Sequence, residues 1–177
     1  LGDTDIVSPF VFRAFEDNGD VWCFKTTEGY GKMCEEPVLE SRKTVEKGDL
    51  LTTVKQVWRF RDSILEEYIT RYSENDFIDY RYRVNWNEKH TVLKLIPAAG
   101  KAPNAVLAAA PGGSIQRPMD GREYPVGQWL RWGEEKEGMT LLLDGIFAYN
   151  TGDYPQLTLL RSPAYGDMRR RPLSEDI

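Results

Sequence analysis

The chain is 177 residues long with 41% hydrophobic, 12% aromatic and 29% charged residues, enough apolar material for a packed core and too much for bulk disorder. Its 23 Lys and Arg against 28 Asp and Glu leave a net charge of -5, which argues against nonspecific binding to nucleic acid or to an anionic membrane. No apolar run approaches the ~18 residues of a membrane span, and the first residues lack the charged and apolar regions of a signal peptide. The chain begins at Leu1 rather than Met, as a processed chain or a piece of a longer one does.

Period-2 alternation dominates from one end to the other. Asp20–Thr26 and Leu39–Val45 are the first strand-like runs. At 52–60, Val54, Trp58 and Phe60 alternate with Thr53, Lys55 and Arg59. Residues 63–72 are ambiguous. Ser63-Ile64-Leu65-Glu66 matches a capping box, and Ile64, Leu65, Tyr68, Ile69 and Tyr72 would share a helical face, yet Ile64, Tyr68 and Tyr72 also alternate as a strand. Neighbouring strands favour a strand here, because a lone helix would need a face of its own to cover. Farther on, Ile78, Tyr80, Tyr82, Val84 and Trp86 oppose Asp79, Arg81, Arg83 and Asn85. Thr91–Ile96, Asn104–Ala109, Met139–Leu143 and Gln156–Arg161 complete the strand-like runs. Gly29/Gly31, Lys47-Gly48-Asp49, Pro111-Gly112-Gly113, Asp120-Gly121 and Thr151-Gly152-Asp153 punctuate them. Ala98–Gly113, rich in Ala, Pro and Gly, reads as a connection crossing between sheets, and 133–138 as an exposed acidic turn. The pattern predicts an all-β antiparallel sandwich forming one domain over 1–177, with 168–177 as a loose tail.

Much chemistry is missing. There is no phosphate-cradling glycine loop, no G-x-S-x-G elbow and no H-E-x-x-H. Cys23, Cys34 and the single histidine, His90, fall short of the roughly four ligands of a structural zinc site. The two cysteines read as buried free thiols, with one disulfide as the alternative. His90 reads as a turn histidine bonded to backbone. Among carboxylates that might work in pairs on a glycoside, Glu88 and Asp144 are the best local candidates, being flanked by aromatics. Sugar contact fits better: the segment 144–150, with Asp144, Tyr149 and Asn150, and the turn 161–165, with Arg161 and Tyr165, supply hydroxyl partners and apolar ring faces.

Four strings carry a further signal. Val84-Asn85-Trp86-Asn87-Glu88-Lys89-His90-Thr91-Val92-Leu93-Lys94 resembles the V-x-W-x-E-x-H-x-x-L-K stretch of the family 38 glycoside hydrolases, the retaining α-mannosidases. Gly113-Ser114-Ile115-Gln116-Arg117-Pro118, Gly138–Gly145 and Leu157–Tyr165 resemble that family's G-x-I-x-R-P, G-x-x-L-L-N-D and L-x-L-L-R-S-P-x-Y segments, in the same order. Asp20-Val21-Trp22 and Val45-Glu46-Lys47-Gly48 fit weaker upstream positions. The resemblance spans Asp20 to Asp167. It implies a large β-sandwich of mutarotase-like architecture that follows a catalytic barrel and a helical bundle in the same chain. The chain ends before the family's Gly- and Glu-rich segment, which implies that closing strands are missing.

In that family zinc and the nucleophilic aspartate lie in the barrel, and none of those motifs is present here. The resemblance therefore implies no catalytic residue, no metal ligand and no cofactor in this chain, with zinc in the absent barrel. It makes the barrel, the helical domain and an α-mannoside the partners, with no nucleic acid and no membrane, and the expected location is cytoplasmic. Arg161 resembles an arginine that contacts substrate outside the catalytic subsite; with Tyr149 and Asp144 it forms the candidate substrate-binding set. Leu143-Asp144-Gly145-Ile146 departs from the family's usual N-D-S-K. Trp86, Glu88 and His90 read as fold-fixing: a buried Trp beside polar groups that bond across a turn. A free-standing sugar-binding module without hydrolase activity is the other reading.

Overall fold

The computed structural model describes residues 6–19, 31–98, 102–134 and 138–163. Among them are antiparallel strands and no helix, so no helix is long and apolar enough to cross a membrane. The strands are β1 Phe10–Glu16, β2 Val38–Lys47, β3 Leu51–Phe60, β4 Ser63–Tyr72, β5 Ile78–Asn85, β6 Thr91–Pro97, β7 Ala105–Ala110, β8 Gly113–Pro118, β9 Glu123–Pro125, β10 Trp129–Trp132, β11 Met139–Leu142, β12 Ala148–Thr151 and β13 Pro155–Ser162. They gather into two compact units. Of the described residues, one unit holds 6–9 and 35–88, and the other holds 10–19, 31–34 and those from 89 to 163.

The first unit is one sheet in the order β2-β3-β4-β5. The ambiguous segment 63–72 is strand β4, paired along its whole length with β3 and with β5 through Ile64–Arg71. Two flanking strands satisfy its backbone groups on both sides, and two ladders outweigh a single capping box. Its inward residues are Ser63, Leu65, Glu67 and Ile69, all buried. In register with Glu67 stand Arg42, Gln56 and Tyr82, a polar row across an otherwise apolar face. Glu67 is 1% exposed and accepts a hydrogen bond from Ser8 Oγ at 2.6 Å. Burial pushes its carboxyl above the usual range, only partly offset by the Ser8 hydrogen bond, by the polar groups of Tyr82 and Trp58 nearby and by the charge of Arg42.

A carboxyl raised on folding binds its proton more tightly in the folded state. Its ionised form therefore costs stability as pH rises above the ordinary value of 4.5 and through the folded one. Glu67→Gln, which keeps an acceptor for Ser8, should make the chain more resistant to urea at neutral pH, with the gain shrinking toward pH 4.5. Equal midpoints for the two proteins at neutral pH would refute this.

The second unit is a two-sheet sandwich. One sheet runs β1-β6-β13-β12-β9 and the other β11-β10-β7-β8. Phe12, Leu95, Leu157, Tyr149 and Tyr124 lie in one cross-strand row of the five-stranded sheet. Val106, Ala108, Leu130 and Trp132 form the buried face of the other sheet. The guanidinium of Arg117, on β8, sits 4.7 Å from the centre of the Tyr124 ring, which puts these two faces against each other. The β7–β8 hairpin turns through Pro111-Gly112 with Gly112 at φ +79°, a left-handed position that glycine enters without a Cβ clash. The chain crosses from one sheet to the other between β6 and β7, so the crossing is shorter than the composition of 98–113 suggests. His90 lies in the turn before β6 at φ +52°, and its carbonyl accepts the Asp17 amide at 2.7 Å. Asp20–Thr26, Cys23 with any pairing to Cys34, and the tail 168–177 lie outside the described residues.

Candidate functional site

Lys94 stands in the middle of β6, between Leu93 and Leu95, and is wholly buried. Successive strand residues point to opposite faces, so Leu93 and Leu95 enter the sandwich core and Lys94 turns to the other face of the sheet. There its ammonium donates to Glu123 Oε1 at 2.9 Å and Oε2 at 2.7 Å, and to Thr158 Oγ1, which itself donates to Glu123. Burial pulls Lys94 down to about 8 against the upward pull of Glu123.

Arg161 belongs to the same face. It lies three residues after Thr158 on β13, an odd spacing that would put the two side chains on opposite faces of a regular strand. A bulge between Thr158 and Leu160 adds one residue and restores them to the same side, with Thr158 opposite Lys94 and Arg161 opposite Val92. Arg161 grips Asp17 through both ends of its fork, Nε to Oδ2 at 2.6 Å and Nη2 to Oδ1 at 3.0 Å. Both side chains are largely buried, at 15% and 9% exposure. The four charges of Asp17, Lys94, Glu123 and Arg161 cancel, as a buried cluster requires. The bidentate pair fixes the plane of the guanidinium before any ligand arrives, which suits planar recognition of hydroxyls or an anion.

The three residues of the predicted sugar-binding set do not meet on one face. Tyr149 is fully buried in the row that faces the sandwich core, opposite Leu157, whereas Arg161 points to the other side of the sheet. Among the described residues the Tyr149 hydroxyl has no hydrogen-bond partner, and burial pushes it up to about 12. Asp144 lies in the exposed turn between β11 and β12, beside Gly145 at φ +76°. The sequence reading did not single out Asp17, Lys94, Glu123 or Thr158. One signal was available: a lysine inside the apolar run Val92-Leu93-Lys94-Leu95-Ile96.

The Trp86–Glu88 motif serves the β3–β4 hairpin. Ser63 Oγ donates to Glu88 Oε1 at 2.6 Å and accepts the Asn87 amide at 2.9 Å, while Asn87 Nδ2 reaches the Asp62 carbonyl. Arg61, at φ +50° in the turn, is held by Glu35 at 2.6 and 2.8 Å and stands 3.9 Å from Glu88. Glu88 is thus engaged in holding a turn. Trp86 is half-buried, not fully buried as the pattern predicts, and stacks on Phe60 with the rings 5.4 Å apart and 5° from parallel. Among the described residues no three His, Cys, Asp or Glu side chains gather into a metal-binding group, so they do not fit the zinc that the resemblance places in a barrel.

Comparison with known proteins agrees with this architecture. No curated protein sequence matches the chain. A protein in the glycosyl hydrolase family 38 from Enterococcus faecalis superposes with a TM-score of 0.74 at 15% identity, over 88% of this chain and 23% of that one. An alpha-mannosidase from Enterococcus faecalis V583 superposes with a TM-score of 0.73 at 15% identity, over 88% of this chain and 22% of that one. The chain therefore spans less than a quarter of the length of either structure. The model of the family described as "Glycosyl hydrolases family 38 C-terminal domain" matches residues 4–169, and the chain belongs to that family.

Proposed function

We propose that this chain is the non-catalytic β-sandwich domain of a retaining, metal-dependent α-mannosidase. Hydrolysis of terminal α-mannosides is then carried out by a barrel outside these residues, where the metal would also lie. The observation that supports this reading most is the family match over 4–169 together with coverage of only 22–23% of the matched structures. In this role residues 1–177 support the fold of the larger enzyme, and Arg161, oriented by Asp17, contributes to the rim of the sugar pocket.

Two measurements test the proposal. The mass of the product made by the native source should be several times 20.4 kDa, and that product should hydrolyse an aryl α-mannoside until a chelator removes its metal. A product of the size of this chain that binds mannosides without hydrolysing them would instead make it a free-standing sugar-binding module. In the larger enzyme, Arg161→Gln combined with Asp17→Asn keeps the buried cluster neutral. It should raise KM several-fold while leaving kcat near the wild-type value. Unchanged KM would take Arg161 off the rim.

A further inference from the structure

The outward face of the four-stranded sheet carries a charge pattern opposed to the chain's acidic balance. Cross-strand register places Lys43 of β2 opposite Lys55 of β3, Lys55 opposite Tyr68 of β4, and Tyr68 opposite Arg81 of β5. Like charges directly opposite one another, as Lys43 and Lys55 are, disfavour pairing. Arg83 adds a further cation: its guanidinium lies 5.5 Å from the Tyr68 ring centre, and the Lys55 ammonium lies 5.2 Å from the same centre. Among the described residues Glu66 is the one carboxylate inside this strip, bonded to Lys55 and to the Tyr68 hydroxyl. Among the described residues Lys43 and Arg81 have no ion-pair partner, and both are exposed. Four cations thus face one carboxylate across a sheet whose strands are about 4.8 Å apart, a strip roughly 14 Å long.

The strip is two rows wide, with Lys43, Lys55, Tyr68 and Arg81 in one row and Glu66 and Arg83 in the next. The adjoining row runs Glu46, Thr53, Thr70, Asp79, with a carboxylate at each end. A uniformly charged polyanion, such as nucleic acid with a charge every ~1.7 Å, would be forced against those carboxylates. A polypeptide carries negative charge only where its sequence puts it. An extended segment can set carboxylates on the cations and neutral or donor groups beside Glu46 and Asp79. We propose that this face docks an acidic polypeptide segment in extended conformation, with its carboxylates on Lys43, Lys55, Arg81 and Arg83.

The test is a titration of the 177-residue chain with a peptide of about ten alternating Glu and Ser residues, whose carboxylates lie about 6.8 Å apart when extended. A heparin fragment of similar length serves as the polyanion comparator. The peptide should bind with a dissociation constant of about 1 mM or tighter at low salt, weakening several-fold by about 200 mM salt. Lys43→Glu with Arg81→Glu, both at exposed positions, should weaken it at least about tenfold with an unchanged thermal midpoint, whereas Lys89→Glu in the other unit should leave binding as it was. No saturation at about 5 mM peptide, tighter binding of heparin than of the peptide, or equal affinity for the double variant would each overturn the proposal. If the double variant shifts the thermal midpoint, Lys43→Gln alone carries the test and should weaken binding by a smaller factor.

Discussion

Replacing Glu123 with alanine is expected to destabilise the second unit by about 3–5 kcal/mol, because it takes away the carboxylate bonded to an ammonium inside the protein and leaves the buried cluster with an excess positive charge. Lys94 is fully buried and Glu123 is 6% exposed at its side chain, so water cannot take over the lost partner without local opening. The Thr158 hydroxyl and the more distant charge of Asp17, itself gripped by Arg161, do not replace a carboxylate bonded to a buried ammonium. The sign of the pH response separates this cause from a packing defect. Burial holds Lys94 at about 8, below its ordinary 10.5, so between those values the unfolded chain binds more protons and stability rises with pH. Losing Glu123 removes the strongest influence holding the proton on. Glu123→Ala should therefore recover much of its deficit between about pH 7 and about pH 9, before tyrosine ionisation intervenes. Lys94→Met combined with Glu123→Leu should lie far closer to wild type than Glu123→Ala, since a buried ion pair exchanged for apolar groups is often neutral. Urea midpoints at the two pH values decide the matter. A loss under about 1 kcal/mol for Glu123→Ala, or a loss that does not change with pH, would show that the lysine reaches water.

Phe60→Ala is expected to cost the four-stranded sheet about 3–5 kcal/mol, the usual range for deleting a buried aromatic. Phe60 is 1% exposed, stacks on Trp86 and carries the Arg61 guanidinium 4.9 Å from its ring centre. Its removal therefore opens a cavity and withdraws support from a turn in which Arg61 holds a left-handed backbone conformation. Trp86→Ala should cost less than Phe60→Ala, because Trp86 is half-buried and part of its ring already meets solvent. Urea unfolding followed by circular dichroism would rank the two. The reverse order would mean that Trp86, not Phe60, anchors the hairpin.

Alternation alone located most of the sheet strands, because a half-buried strand must place apolar residues every second position whatever its partner. β3, β5, β6 and β13 lie within a residue or two of their predicted bounds. β1 has the same alternation, with Phe10, Phe12 and Ala14 buried, and was legible but not read. β9, β10 and β12 are three or four residues each, too short for a period to show. The four family strings likewise announced the fold and the family, since each is a local run.

The strand state of 63–72 and the composition of the site were decided by partners. In isolation the segment Ser63–Tyr72 satisfies two periodicities; pairing on both edges selected one. Arg161 was legible as a candidate from the string around it. Its carboxylate, Asp17, is 144 positions away in sequence, and no local pattern joins them. Which face each residue takes is equally a matter of register: the bulge after Thr158 carries Arg161 to Lys94's side, while Tyr149 turns into the core. The sequence by itself determined an acidic, all-β chain of family 38 and where most of its strands run, because those properties are written in local composition and spacing. Only the tertiary structure decided which charges are buried together, because a buried charge finds its counter-charge across strands, where sequence distance carries no information.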